Sequence, residues 1–166
     1  TNRNFRFFQI FTAALQSFSH GTNDAQKSMG IITLALIVAN IQNGSNVEPA
    51  LWVKMACATA MGLGTAVGGW KIIKTVGGNI MKIRPANGAA ADLSSALTIF
   101  VASSLHFPLS TTHVVSSSIL GVGASNRAKG VRWSTAQRML ITWVITLPIS
   151  AVLAALVYFI MHFFLK

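Results

Sequence analysis

This sequence predicts an all-α, polytopic membrane fold, and three observations carry that prediction. Of 166 residues, 52% are hydrophobic and only 10% are charged, with a mean hydropathy of +0.58, whereas a soluble domain carries about 25% charged residues. Two stretches, PALWVKMACATAMGLGTAVGGW from Pro49 and AQRMLITWVITLPISAVLAALVYFIMHFFL from Ala136, reach the roughly 20 apolar residues that cross a hydrocarbon core. The basic residues gather beside the apolar runs, as they do on the cytoplasmic flanks of membrane spans.

The elements follow in order. Residues 5–40 make a first crossing that leaves Arg3 and Arg6 on one side and delivers NIQNGSNVEP, with Glu48 and no Lys or Arg, to the other. A span over residues 50–70 returns to an interfacial segment, 71–86, where Lys71, Lys74, Lys82 and Arg84 mark the cytoplasmic face. Its Gly-Gly and Pro suggest an interrupted helix. Residues 87–125 hold two apolar arms split by HFP and followed by the basic NRAKGVRW, so the pair begins and ends on the cytoplasmic side. Short arms, rich in small residues and broken at Pro108, favour a re-entrant helical hairpin over two full crossings. Residues 134–165 cross outward, with a kink expected at Pro148. Apart from Lys27, Lys54 and Lys166, this topology puts every basic residue on one side. It makes the N-terminus of the chain cytoplasmic and its C-terminus external, in a multi-pass protein of the cell membrane. Gly, Ala and Ser fill the spans, and close backbone approach through them predicts one compact membrane unit.

Composition also excludes functions. A net charge of +10 could serve a nucleic-acid binder, but its placement at span ends argues for membrane lipid and against nucleic acid. The single Cys57 excludes an internal disulfide and a multi-cysteine metal site. No nucleophile elbow, HExxH, CxxC or paired carboxylates point to an enzyme, a metal or a cofactor. The chain begins at Thr1 without a signal-peptide pattern and reads as a piece of something longer.

Two hydrophilic interruptions carry the chemistry. The first, SHGTNDAQKSMG from Ser19, puts Asp24 and Lys27 where a membrane helix is driest. Charges there must be paired and face protein or water. Gly21, Gly30 and the helix-start pattern of Thr22, Asn23 and Asp24 predict a broken helix, one half ending near His20 and the next starting near Asn23. The competing reading is a structural Asp24–Lys27 pair at i and i+3. The second interruption, PLSTTHVVSSS from Pro108, reads as a helix start whose orphan N–H groups, dipole and hydroxyls on Ser110, Thr111 and Thr112 suit an anion, with His113 beside them. Its competing reading is an ordinary N-cap. Asp92 could take a coupling cation or proton, or pair with Lys82 or Arg84 at the cytoplasmic mouth. His106 and His162 are assigned to interfaces or packing.

HGTNDAQKSMG together with PLSTTHVVSSSILGVG resembles the two signature segments of the PiT family of inorganic phosphate transporters, in their C-terminal half. The resemblance implies one half of an inverted-repeat transporter, with a phosphate site shared with an N-terminal half and coupling to sodium or protons. The substrate it implies is inorganic phosphate, in some members as a metal–phosphate complex, and a homodimer is a further candidate assembly. Carried over by position, Asn23, Asp24, Ser110, Thr111 and Thr112 match the phosphate-binding segments, and Asp92 lies in the arm leading into the hairpin. Lys27 stands where sodium-coupled members resemble NDxxNA with Asn. Its fixed ammonium is expected to bind phosphate and repel sodium, which favours proton coupling, with Asp24, Asp92 and His113 as candidates for the coupling ion. The rivals are a carrier or channel for another oxyanion such as sulfate, and a non-transporting structural membrane subunit.

Overall fold

The computed structural model of the chain describes residues 2–44, 47–81 and 83–164, with the side chains of residues 2, 3, 71, 72 and 75–79 excepted. Five α-helices run in the order α1 (Asn2–Val38), α2 (Leu51–Asn79), α3 (Pro85–Ser104), α4 (Thr111–Arg127) and α5 (Trp133–Phe164), with a 3-10 turn at Ala128–Gly130. No strand occurs among the described residues. The side chains of Arg3 and Lys71, all of Lys82 and Lys166, and with them the expected pairing of Lys82 with Asp92, lie outside the described residues.

Contacts divide the chain into two units, Thr1–Val131 and Arg132–Lys166, where composition suggested one. The second unit is α5 alone. Its apolar residues cover its whole circumference, and Leu147, Val152, Phe159 and Phe163 are all exposed. A helix apolar on every side has no stripe to dock by, which is the character of a membrane span. Pro148 lies inside it.

In the first unit α1 is inside out. Phe7, Ile10, Phe11, Phe18, Ile31 and Leu34 face outward, while Thr12, Gln16, Ser19 and Asn23, spaced by four, three and four residues, are buried. That spacing is one helix face. Water would invert this pattern; hydrocarbon produces it, because a polar group facing lipid has no partner. The buried face packs on α3, whose Gly88, Ala89, Ala91, Ser95 and Ala96 allow close approach. Across the seam the Ser95 hydroxyl donates to Gln16 Oε1 at 2.8 Å. Val53 and Cys57 of α2 are likewise buried.

Two expectations about helix continuity are corrected. α1 runs without interruption from Asn2 to Val38, so the break near His20–Asn23 is absent, and no described glycine has positive φ. The reason is local: Thr22 Oγ1 donates back to the carbonyls of Phe18 (2.9 Å) and Ser19 (3.1 Å) within the helix instead of capping a new one. At 37 residues, α1 is about 55 Å long, well beyond the roughly 30 Å hydrocarbon core. Nor does α2 stop at Trp70. It continues through the expected interfacial segment to Asn79, and its apolar portion is Leu51–Trp70.

The hairpin tip has defined geometry. α3 ends with His106 in the left-handed region at φ 59°, where the N–H of His106 donates to Ser103 O (3.1 Å) and that of Phe107 to Ala102 O (2.9 Å). This is the paired closure of a Schellman end. Asn40, at φ 56°, closes α1 the same way. Pro108 lies in the link and not in the first turn, and Ser110 is the N-cap of α4, its Oγ accepting from His113 N–H at 3.4 Å.

Candidate functional site

The polar middle of α1 meets the start of α4. Asp24, in the seventh turn of α1, accepts at Oδ1 from Lys27 Nζ (3.0 Å) and at Oδ2 from His20 Nε2 (3.0 Å). The buried Thr111 hydroxyl, on the first residue of α4, donates to both carboxylate oxygens, at 3.0 and 3.3 Å. Asn23 Nδ2 adds a longer bond to Oδ1 at 3.4 Å. A carboxylate has about four acceptor positions, and four side chains fill them here. Lys27 Nζ also donates to Leu109 O at 2.7 Å, and Asn23 Nδ2 reaches the same carbonyl at 3.5 Å. On the far side of Asn23, the Ser103 hydroxyl at the end of α3 donates to Oδ1 at 3.2 Å. Three helices and their link are thus tied together through two adjacent residues, Asn23 and Asp24. The i, i+3 pair of Asp24 and Lys27 exists, and it also reaches across to the hairpin.

The arrangement is neutral or positive: one carboxylate, one ammonium and one imidazole. Lys27 uses two of its three N–H donors on Asp24 and Leu109, leaving one for a ligand. Among the described residues no group of three or more His, Cys, Asp or Glu is placed to hold a metal ion.

A family model described as the phosphate transporter family matches residues 1–154. The chain belongs to the phosphate transporter family. A probable low-affinity inorganic phosphate transporter of Bacillus subtilis is 70% identical over 162 residues, covering 98% of this chain and 48% of that protein. One from Mycobacterium tuberculosis H37Rv is 44% identical over 163 residues, 98% of this chain and 39% of that protein. The human sodium-dependent phosphate transporter 1 is 33% identical over 160 residues, 96% of this chain and 24% of its own length. The chain therefore spans less than half the length of these relatives. No solved structure matches it significantly. The family consists of membrane transporters and not of enzymes.

In this member of the phosphate transporter family, the structure brings together Asn23, Asp24, Lys27 and Thr111, with Ser110 next to Thr111 as the cap. Thr112 is exposed at the second position of α4. Two coupling-ion candidates stand elsewhere. Asp92 lines a cavity of about 80 Å3 with Gln9, Asn87 and Ile119. His113 lines a hydroxyl-rich groove of about 560 Å3 between α3 and α4, with Ser94, Thr98 and Ser117. Sequence reasoning passed over His20, Ser103 and the Leu109 carbonyl. His20 was detectable, because four residues before Asp24 places it on the same helix face. Ser103 and Leu109 lie about 80 residues from Asn23 and carry no such signal.

Proposed function

We propose that this chain is one repeat of a secondary transporter that moves inorganic phosphate across the cell membrane by alternating access, in symport with a cation. The observation that supports it best is the meeting of Asn23, Asp24 and Lys27 with Leu109 and Thr111, which joins the two hydrophilic interruptions. In a membrane helix such polar groups mark a substrate path. Phosphate oxygens are received by the remaining Lys27 donor and the hydroxyls of Ser110 and Thr112, with the Asn23 amide and the Thr111 hydroxyl, which here donate to Asp24 and Leu109, turning to the anion as it enters. The first two N–H groups of α4, which have no intrahelical acceptor, and its positive dipole end add to them. Hydroxyls and helix termini hold a tetrahedral anion without trapping it, unlike a bidentate arginine cage. Asp24, with its acceptor positions filled, holds Lys27 and Thr111 in place.

The rest of the site belongs to the other repeat of an inverted pair, which in this reading precedes the chain, or to a second copy. A re-entrant α3–α4 hairpin, a cytoplasmic start and an external end complete the topology. The substrate is phosphate, free or as a metal–phosphate complex. Lys27 favours protons over sodium, because a fixed ammonium repels a monovalent cation. The human relative is named sodium-dependent, so the coupling ion is the point to test.

The experiment is uptake of labelled phosphate by the intact transporter in proteoliposomes. Uptake should follow a proton gradient and fall by an order of magnitude or more with Asp24→Asn or Thr111→Ala, a barrier increase of about 1.4 kcal/mol per tenfold. Dependence on a sodium gradient with indifference to pH refutes proton coupling, and equal competition by sulfate refutes the choice of phosphate. Unchanged transport in both variants supports a structural subunit instead.

A further inference from the structure

We propose that His20 is the residue that carries the coupled proton, an inference that rests on the phosphate-transport reading above. Its Nε2 lies 3.0 Å from Asp24 Oδ2, while Lys27 Nζ lies 3.0 Å from Oδ1 of the same carboxylate. Asp24 therefore sits between a permanent cation and a switchable one. With His20 neutral, the charges of Asp24 and Lys27 cancel. With His20 protonated, the cluster carries one net positive charge at the point where α1 meets the start of α4.

The proton has a defined place to go. Neutral His20 donates to Asp24 through Nε2–H, so the proton it gains enters at Nδ1. The acceptor positions of the carboxylate are already taken by Lys27 and Thr111. The His20 side chain is 43% exposed, against 25% for Asp24, so within this repeat the imidazole is the most open member of the cluster to exchange a proton with water. On the side from which phosphate enters, protonation raises the affinity for the anion. On the opposite side, loss of the proton returns the cluster to neutrality and lets phosphate leave.

Among the described residues, the surrounding elements offer no rival at this spot. On α1 itself His20 faces Asp24, with Lys27 beyond it. From α4 comes the Thr111 hydroxyl, while His113 lines the separate α3–α4 groove. From α3 the acid is Asp92, which lines a cavity with Gln9 of α1, eleven residues or about 16 Å along that helix from His20. From α2 the charge is Lys54, lining the α1–α2 groove with Gly21, Thr22 and Gln26.

The test uses the intact transporter in proteoliposomes, with labelled inorganic phosphate, the parent protein and H20Q, whose amide can still donate to Asp24. Phosphate–phosphate exchange at equal pH on both sides reports binding and translocation without net proton movement. Uptake driven by an imposed pH gradient reports coupling. The parent-to-H20Q ratio of uptake should fall as the pH rises from 5.5 to 7.5, a comparison in which titration of phosphate itself cancels. H20Q should lose proton-driven accumulation, while its exchange at the higher pH falls by a clearly smaller factor. Proton-driven accumulation in H20Q equal to the parent overturns the proposal. Loss of exchange in both H20Q and H20N assigns His20 a structural role and overturns it as well. Absence of phosphate uptake by the parent defeats the transport reading and this inference with it, whereas parental uptake with an unaffected H20Q defeats this inference alone.

Discussion

Replacing Thr111 with Val removes one hydroxyl and leaves the side-chain shape almost unchanged, so it isolates the bond that ties α4 to α1. Thr111 is 3% exposed, and its hydroxyl donates to Asp24 at 3.0 and 3.3 Å. Hydrogen bonds between neutral groups in membrane proteins contribute about 0.6 kcal/mol on average and about 1.7 at most. A bond to an ionised acceptor is roughly twice as strong as a neutral one. Against that, Asp24 is partly exposed and keeps His20 and Lys27, so it is not orphaned and the full penalty of about 3 kcal/mol for a lost charged partner does not apply. The expected loss for T111V is therefore about 1–2 kcal/mol. Reversible unfolding of the intact transporter in detergent, measured for T111V, D24N and the double variant, gives the coupling between the two residues. That coupling should be about 1 kcal/mol or more, since neighbours in one network do not add. Additivity to within about 0.5 kcal/mol refutes the bond as the tie between the helices.

Three further outcomes follow from the packing. A Cβ on Gly123 would lie 2.7 Å from Met81 Sδ and 2.8 Å from Val131 Cγ2, whereas one on Gly121 meets nothing within 4 Å; G123A should lose about 1–3 kcal/mol and G121A gain up to about 1 in the same unfolding assay. S95A removes the donor to the buried Gln16 Oε1 and should cost about 1–3 kcal/mol, with Q16L/S95A recovering part of it; a double variant less stable than S95A would count against the seam described for α1 and α3. H106G relieves a left-handed residue at φ 59° and should stabilise the hairpin by about 1 kcal/mol, read as a raised unfolding midpoint; a lowered midpoint would show that the imidazole makes contacts worth more than the strain.

The two hydrophilic interruptions were legible because polarity out of place in an apolar run is visible in one dimension: Asp24 and Lys27 in α1, and Ser110, Thr111 and Thr112 before an apolar helix. Helix α5 was legible for the opposite reason, an unbroken apolar run, and α3 and α4 stand on either side of the HFP segment. The reading failed where it inferred backbone from side chains. Thr22, Asn23 and Asp24 form a helix-start pattern only if their oxygens lack better partners. Thr22 finds carbonyls behind it in its own helix, and Asn23 and Asp24 find Ser103, Leu109 and Thr111.

Composition and pattern alone determined that the chain is helical and that its solvent is lipid, because the cost of exposing apolar groups to water belongs to each residue separately. Tertiary structure alone decided that α1 stays unbroken, that the stripe Thr12, Gln16, Ser19 and Asn23 faces α3, and that His20 shares Asp24 with Lys27. Those outcomes depend on which donor reaches which acceptor across some 80 residues of chain, a matter of three-dimensional distance that no local spacing encodes.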